Sequence, residues 1–172
     1  MKKLFLIRHC KADNIDSNIK DFDKKLNKKG LKEAVALNKW FNVNNMRIDQ
    51  IIVSSAIRTM ETAKSIFHNQ HDKIKEKKSL YLCSKNEIIK EIKMLNDNFL
   101  DVVLIGHEPS ISESLRFLTV NFRPDISHTS FSPYPTGGLA IIYFNIKRWV
   151  EIDEKTGTLD AFITPSYLQE NE

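Results

Sequence analysis

Three short apolar runs dominate this chain: Leu4-Phe5-Leu6-Ile7, Ile51-Ile52-Val53 and Val102-Val103-Leu104-Ile105. They show almost no polar alternation. A strand covered on both faces reads this way, and such strands belong to parallel sheets flanked by helices. The stretches between them have helical spacing instead. Asn27 is placed to cap a helix running to about Phe41, with Leu31, Ala34, Val35, Leu37 and Phe41 as its apolar residues and Gly30 slightly weakening its first turn. Ser54 or Ser55 is placed to cap a second helix, with Ala56, Met60, Ala63 and Phe67 on one face and Arg58 off it. Ile88, Ile92 and Leu95 mark a third. Ile111, Leu115 and Leu118 mark a fourth, with Pro109 suited to its first position. Leu80 to Leu82 reads as a short extended piece, Asn121 to Gly138 as a long loop, and Leu139 to Phe144 as a strand. Trp149–Ile152 and Leu159–Ile163 read as a hairpin around Thr156-Gly157. Strands alternating with helices predict an α/β protein, a three-layer α/β/α sandwich with a mostly parallel central sheet.

The residues just after each run point to chemistry. The first run leads into Arg8 and His9. The second leads through Ser54-Ser55-Ala56 to Arg58, and the third ends in Gly106 and His107. Ligands of open α/β sheets bind at the carboxyl ends of the strands, so these side chains can converge. Two Arg/His pairs around one point suit an anion that also needs a nucleophile, and phosphate is the natural candidate. A neutral imidazole attacks phosphorus without a separate base, and its ordinary pKa of about 6.5 keeps much of it neutral in the cell. Two guanidiniums fork onto phosphoryl oxygens and offset the charge of the dianion. A second histidine can donate to the same oxygens, and backbone N–H groups at a helix start can add to that. His68, His71 and His128 lack such a context and read as surface residues. Asp13, Asp21 and Asp23 are acid candidates whose plainer reading is loop capping, and Thr136 can reach the pocket from its loop, although Gly137-Gly138 beside it reads as a turn.

Composition excludes several other classes. The 172 residues predict one domain, residues 1–172. No apolar run approaches the ~20 residues of a membrane helix. Met1-Lys2-Lys3 followed by Leu4 to Ile7 resembles a signal peptide superficially, but Arg8 ends the run before an h-region of roughly 7–15 residues is reached, so a cytoplasmic protein is expected. The net charge of +4 is modest. The lysines at 24, 25, 28, 29 and 32, and at 73, 75, 77 and 78, read as solvated faces, or as a basic rim that steers anionic partners. No nucleic-acid motif accompanies them. Cys10 and Cys83 form no metal-type or redox-type pair, and Cys10 reads as a small residue in a tight turn. A cysteine phosphatase would need an arginine six positions after its cysteine. Asp16 and Ile89 stand there instead.

In order along the chain, Leu6-Ile7-Arg8-His9, Val53-Ser54-Ser55-Ala56-Ile57-Arg58-Thr59-Met60-Glu61-Thr62-Ala63 and Ile105-Gly106-His107-Glu108-Pro109 resemble the three motifs of the histidine phosphatase, or phosphoglycerate mutase-like, superfamily. Leu26-Asn27-Lys28-Lys29-Gly30, Pro135-Thr136-Gly137-Gly138-Leu139-Ala140 and Phe162-Ile163-Thr164-Pro165 are similar to its small SixA-type phosphohistidine phosphatases. The resemblance implies the phosphoglycerate mutase-like fold without a large helical insertion. It implies His9 as the nucleophile that becomes phosphohistidine, Arg8 and Arg58 as phosphoryl binders, His107 as a stabiliser of the transferring group, and no metal or cofactor.

Three departures bear on the rim: Cys10 where Gly or Ala is usual, Glu108 where Asn is common, and Asp21-Phe22-Asp23-Lys24-Lys25 in place of Asp-His-Asp-Arg-Pro. Larger members carry a proton-donating glutamate in an insertion after the second motif. Thr62 to Ser84 is short, and Glu87, the nearest candidate, reads as a surface residue at a helix start. Imidazole needs proton donation less than an ester leaving group does. The expectation is therefore a metal-independent phosphatase acting on phosphohistidine in a phosphorylated protein. The alternatives are a small-molecule phosphomonoesterase on the same fold and a catalytically silent phosphate-recognition module. No nucleic acid or membrane partner is expected.

Overall fold

The computed structural model describes residues 1–14, 18–122 and 134–170. Seven strands form one sheet: β1 (Lys2–Arg8), β2 (Gln50–Ser54), β3 (Ile74–Lys77), β4 (Asp101–Gly106), β5 (Thr119–Phe122), β6 (Leu139–Phe144) and β7 (Gly157–Ile163). Their spatial order is β3-β2-β4-β1-β6-β7-β5. The pairs β3–β2, β2–β4, β4–β1 and β7–β5 are parallel, whereas β1–β6 and β6–β7 are antiparallel. Among the described residues five α-helices accompany it: α1 (Lys28–Val43), α2 (Ile57–Ile66), α3 (Lys85–Lys93), α4 (Ser110–Leu118) and α5 (Pro165–Glu170).

The apolar runs explain the layering. Successive side chains of a strand point to opposite faces. Leu4 and Leu6 of β1 and Val102 and Leu104 of β4 therefore join one core, with α3 and α4. Phe5, Ile7, Val103 and Ile105 join the other, under α1 and α2. Both faces are covered, as the uninterrupted runs require. The fold is the expected three-layer, mostly parallel sandwich, and only the short segment 67–84 separates α2 from α3. Among the described residues no helix is long and apolar enough to cross a membrane.

Local readings differ in five places. Edge strand β3 has the sequence Ile-Lys-Glu-Lys, and a strand with one free edge and exposed faces carries no apolar signal. In place of an extended piece at Leu80–Leu82 stands a 3-10 turn, Lys78–Leu80. Trp149 begins a 3-10 turn, and β7 forms its hairpin with β6 instead. The Trp149 ring is buried, donates from Nε1 to the Phe99 carbonyl at 2.9 Å, and packs against the ammonium of buried Lys2. Thr119–Phe122, at the start of the expected loop, is strand β5. Pro133, Pro124 and His128 lie outside the described residues. Finally, Leu31 and Val35 of α1 are 48% and 65% exposed, and the inward face is Gly30, Glu33, Ala34, Leu37 and Phe41. Ala34, Leu37 and Phe41 lie inward as expected, while Gly30, Glu33 and Ala36 are buried in place of the expected Leu31 and Val35.

Candidate active site

Strand order places the site. β1 and β4 are parallel neighbours in register Arg8↔Gly106, and the His9 amide donates to the Gly106 carbonyl at 3.0 Å. β2 lies on the far side of β4, with Val53 opposite Ile105. His9, His107 and Ser54 thus emerge side by side from three strand ends, where β1 is also the point at which the sheet turns from parallel to antiparallel. The rings of His9 and His107 lie 5.3 Å apart. Arg58, in the first turn of α2, reaches the same point. Arg8, His9, Lys11, Asp21, Lys24 and Arg58 line a cavity of about 190 Å³.

Hydrogen bonds assign the proton positions. His9 Nδ1 lies 2.8 Å from the Cys10 carbonyl. A carbonyl only accepts, so Nδ1 carries the proton and Nε2 presents its lone pair. Arg58 Nη2 lies 3.2 Å from His107 Nδ1, and a guanidinium only donates. His107 therefore carries its proton on Nε2 and donates it to Ser54 Oγ at 2.7 Å. Burial and the charges of Arg58 and Arg8 push His9 down to about 4. Burial and Arg58 push His107 down to about 3. Both rings are neutral at pH 7. The Arg8 guanidinium donates from Nη1 to the Tyr134 carbonyl at 2.5 Å, while its buried Nε has no partner among the described residues. An unanswered buried N–H is unfavourable by about 1–3 kcal/mol and suits an incoming oxyanion.

The surrounding motif residues hold backbone. Thr59 Oγ1 donates to the Ser54 carbonyl at 2.7 Å, Glu61 accepts from the Leu26 amide at 2.7 Å, and Thr62 accepts from the Cys10 amide at 3.0 Å. Asn27 caps α1 by accepting from the Gly30 amide at 2.9 Å. The Gly137 amide donates to the Arg8 and His9 carbonyls at 3.1 and 3.2 Å, from a backbone φ of 66° that suits glycine. Thr136 lines the cavity and bonds Glu33.

Several readings of single residues change, and those of Glu87, His68 and His71 as surface residues stand. Ser54 does not cap α2: Ala56 occupies that position, and Ser54 holds His107. His107 has both nitrogens engaged, so in this arrangement it holds Arg58 beside His9 and presents no free donor. Pro109 is the N-cap residue of α4 rather than its first position. Glu108 accepts from the Ser112 amide at 3.1 Å, which uses its charge at the start of α4. Glu87 faces Lys90 and is absent from the cavity lining. His68 and His71 are exposed and bond Asn38 and the Lys64 carbonyl. Burial pushes the Cys10 thiol up to about 12, so it stays protonated. Asp21, by contrast, lines the cavity and pairs with Arg58 at 2.9 Å.

Glu33 and Tyr81 escaped the sequence reading. Glu33, 2% exposed, accepts from the Lys11 amide at 2.8 Å and from Thr136. Its only sequence signal is a glutamate among the inward positions of α1. Tyr81 donates to Asp21 at 3.0 Å and sets its ring edge against His107, and no local pattern marks it.

Gly30 gives a direct test of this scaffold. A Cβ there would lie 2.1 Å from the Lys11 carbonyl oxygen, so alanine must push the loop after His9 off α1. Overpacking of this kind is destabilising by about 1–3 kcal/mol. Gly30→Ala should lower the melting temperature by roughly 2–12 °C and lower kcat as well. An unchanged melting curve in calorimetry would contradict the contact.

Known proteins resemble this chain in sequence and in fold. Residues 4–81 match the model of the histidine phosphatase superfamily (branch 1). An uncharacterized protein of Mycobacterium leprae is 28% identical over 165 residues, covering 92% of this chain and 99% of that one. A candidate phosphohistidine phosphatase SixA from Nakamurella multipartitia superposes with a TM-score of 0.81 at 21% identity, covering 95% and 96% of the two chains. The protein histidine phosphatase SixA, solved with tungstate, does so with a TM-score of 0.76 at 20% identity, covering 96% and 99%.

Proposed function

We propose that this chain, whose residues 4–81 match the model of the histidine phosphatase superfamily, is a metal-independent phosphatase that works through a phosphohistidine on His9 and takes phosphohistidine in proteins as its substrate. The free Nε2 of His9, held by the Cys10 carbonyl between Arg8 and Arg58, supports the first half. Its lone pair attacks phosphorus. The positive charge that develops on the ring is met by the carbonyl at Nδ1–H, and the two guanidiniums take the phosphoryl oxygens. Water then attacks phosphorus, and His9 leaves neutral with its Nδ1 proton still in place. Tungstate, the ligand of the solved SixA, is a tetrahedral oxyanion like phosphate.

One observation carries the substrate class. Asp21 is the carboxylate among the described residues lining the cavity. Its partial burial favours the neutral form, but the hydrogen bond and charge of Arg58 outweigh this and hold the carboxyl below its usual range. An acid kept ionised does not protonate an alkoxide. A leaving group that carries its own proton, as the imidazole of phosphohistidine does, suits such a site. Specificity constants for a histidine-phosphorylated protein and a panel of sugar phosphates test the reading. The phosphoprotein should be preferred by at least 100-fold, and a better sugar phosphate would sink the proposal.

The depressed histidine pKa values set the pH dependence. The free enzyme keeps a neutral nucleophile until about pH 4. The acid limb of kcat/KM, which reports the free enzyme, should fall near pH 4 after correction for substrate ionisation. A limb at 6.5 would show a solvated His9. Stability follows with the same sign. The unfolded chain takes up histidine protons from about pH 6.5 downward and the folded chain does not, so this contribution is complete above 6.5 and is lost as pH falls toward 4.

A further inference from the structure

A half-exposed carboxylate in a site for dianions can accept an N–H of the substrate beside the cations it already holds. Asp21 is half exposed, with Oδ2 taking Arg58 Nη2 at 2.9 Å and Tyr81 Oη at 3.0 Å and Oδ1 lying 3.6 Å from Lys24 Nζ. Phe22 beside it is 37% exposed and meets the Tyr81 ring edge-on at 5.0 Å, and the Tyr81 ring meets His107 at 5.7 Å. Aromatic rings next to an ionised carboxylate recognise a flat ring that is apolar on its faces and bears a positively polarised N–H at its edge.

We infer that Asp21, Phe22 and Tyr81 form the subsite for the departing imidazole ring, with Asp21 accepting a hydrogen bond from the ring nitrogen remote from phosphorus. This rests on the phosphohistidine reading and adds how the ring is held and why it leaves. The His9 Nε2 lone pair forms the new P–N bond as the substrate's P–N bond breaks. That electron pair stays on the departing nitrogen. The remote nitrogen keeps its proton throughout, so the ring leaves as neutral imidazole and no group of the protein gives or takes a proton. Asp21 stays ionised and favours the ring form that departs. The arrangement mirrors His9, whose own remote N–H rests on the Cys10 carbonyl.

The test compares phosphoimidazole with p-nitrophenyl phosphate, whose leaving group has no N–H. In Asp21→Asn the ratio of kcat/KM for phosphoimidazole to that for the aryl ester should fall at least tenfold, and the alkaline limb of kcat for phosphoimidazole should move to lower pH. Phe22→Ala should raise KM for phosphoimidazole severalfold with kcat little changed. A ratio unchanged in Asp21→Asn, or both constants rising together because a repulsive charge has gone, would overturn the inference. If wild type prefers a sugar phosphate, the substrate reading itself fails. If it prefers phosphohistidine while the Asp21→Asn ratio stays put, only the subsite fails.

Discussion

His9→Ala should eliminate turnover of phosphohistidine and aryl phosphate alike, with kcat falling by roughly four to six orders of magnitude, the scale seen when a covalent nucleophile is removed. The reason is geometric. His9 presents to the cavity a ring nitrogen with no partner among the described residues, whereas His107 has Nδ1 on Arg58 and Nε2 on Ser54. Ser54 is itself occupied by His107, and burial keeps Cys10 a thiol. No side chain in the described cavity is therefore positioned to replace His9. Acid-labile, alkali-stable phosphate should be recovered on wild-type protein quenched during turnover and be absent from the variant. The variant should fold, because among the described residues the ring hydrogen-bonds just the neighbouring carbonyl and otherwise faces His107. More than about one per cent residual activity would remove His9 from the nucleophile's role, and a wild-type protein that binds phosphoprotein but turns over neither substrate would point to a recognition module.

Arg58→Ala is the second large effect. Arg58 is 6% exposed and donates to the Asp21 carboxylate and backbone carbonyl and to His107 Nδ1. Its removal withdraws a charged fork from the phosphoryl oxygens and frees the ring beside the nucleophile. Loss of one such donor weakens transition-state binding by about 3–4 kcal/mol, or 10²–10³ in kcat. The added loss of His107 positioning places the expected fall at the upper end. Arg58→Lys should recover little, since an ammonium cannot form the fork. A second signature separates charge from folding. Arg58 holds the pKa of both histidines down, so its loss should move the acid limb of kcat/KM to higher pH. Activity within tenfold of wild type and an unmoved limb would show that Arg58 only braces the loop.

Legibility followed the range of each interaction. Arg8, His9, Arg58 and His107 were visible because each stands at a fixed short offset from an apolar strand, and strand ends are where such a fold gathers its ligands. β3 and the Trp149 turn were not. An edge strand needs little apolar content, and the burial of Trp149 rests on Lys2 and Phe99, distant in sequence. Leu31 and Val35 fit the helical period, but the inward side of α1 belongs to Glu33, whose partners are the Lys11 amide and Thr136.

By itself the chain determined the layering and the ends of the strands, because burial on two faces imposes continuous apolar runs and turns impose polar breaks. Tertiary structure alone decided which nitrogen of each histidine carries the proton, which carboxylate faces the cavity, and that Gly30 must admit the Lys11 carbonyl. Those depend on single contacts between residues tens of positions apart, and a hydrogen bond leaves no periodic trace in the sequence that forms it.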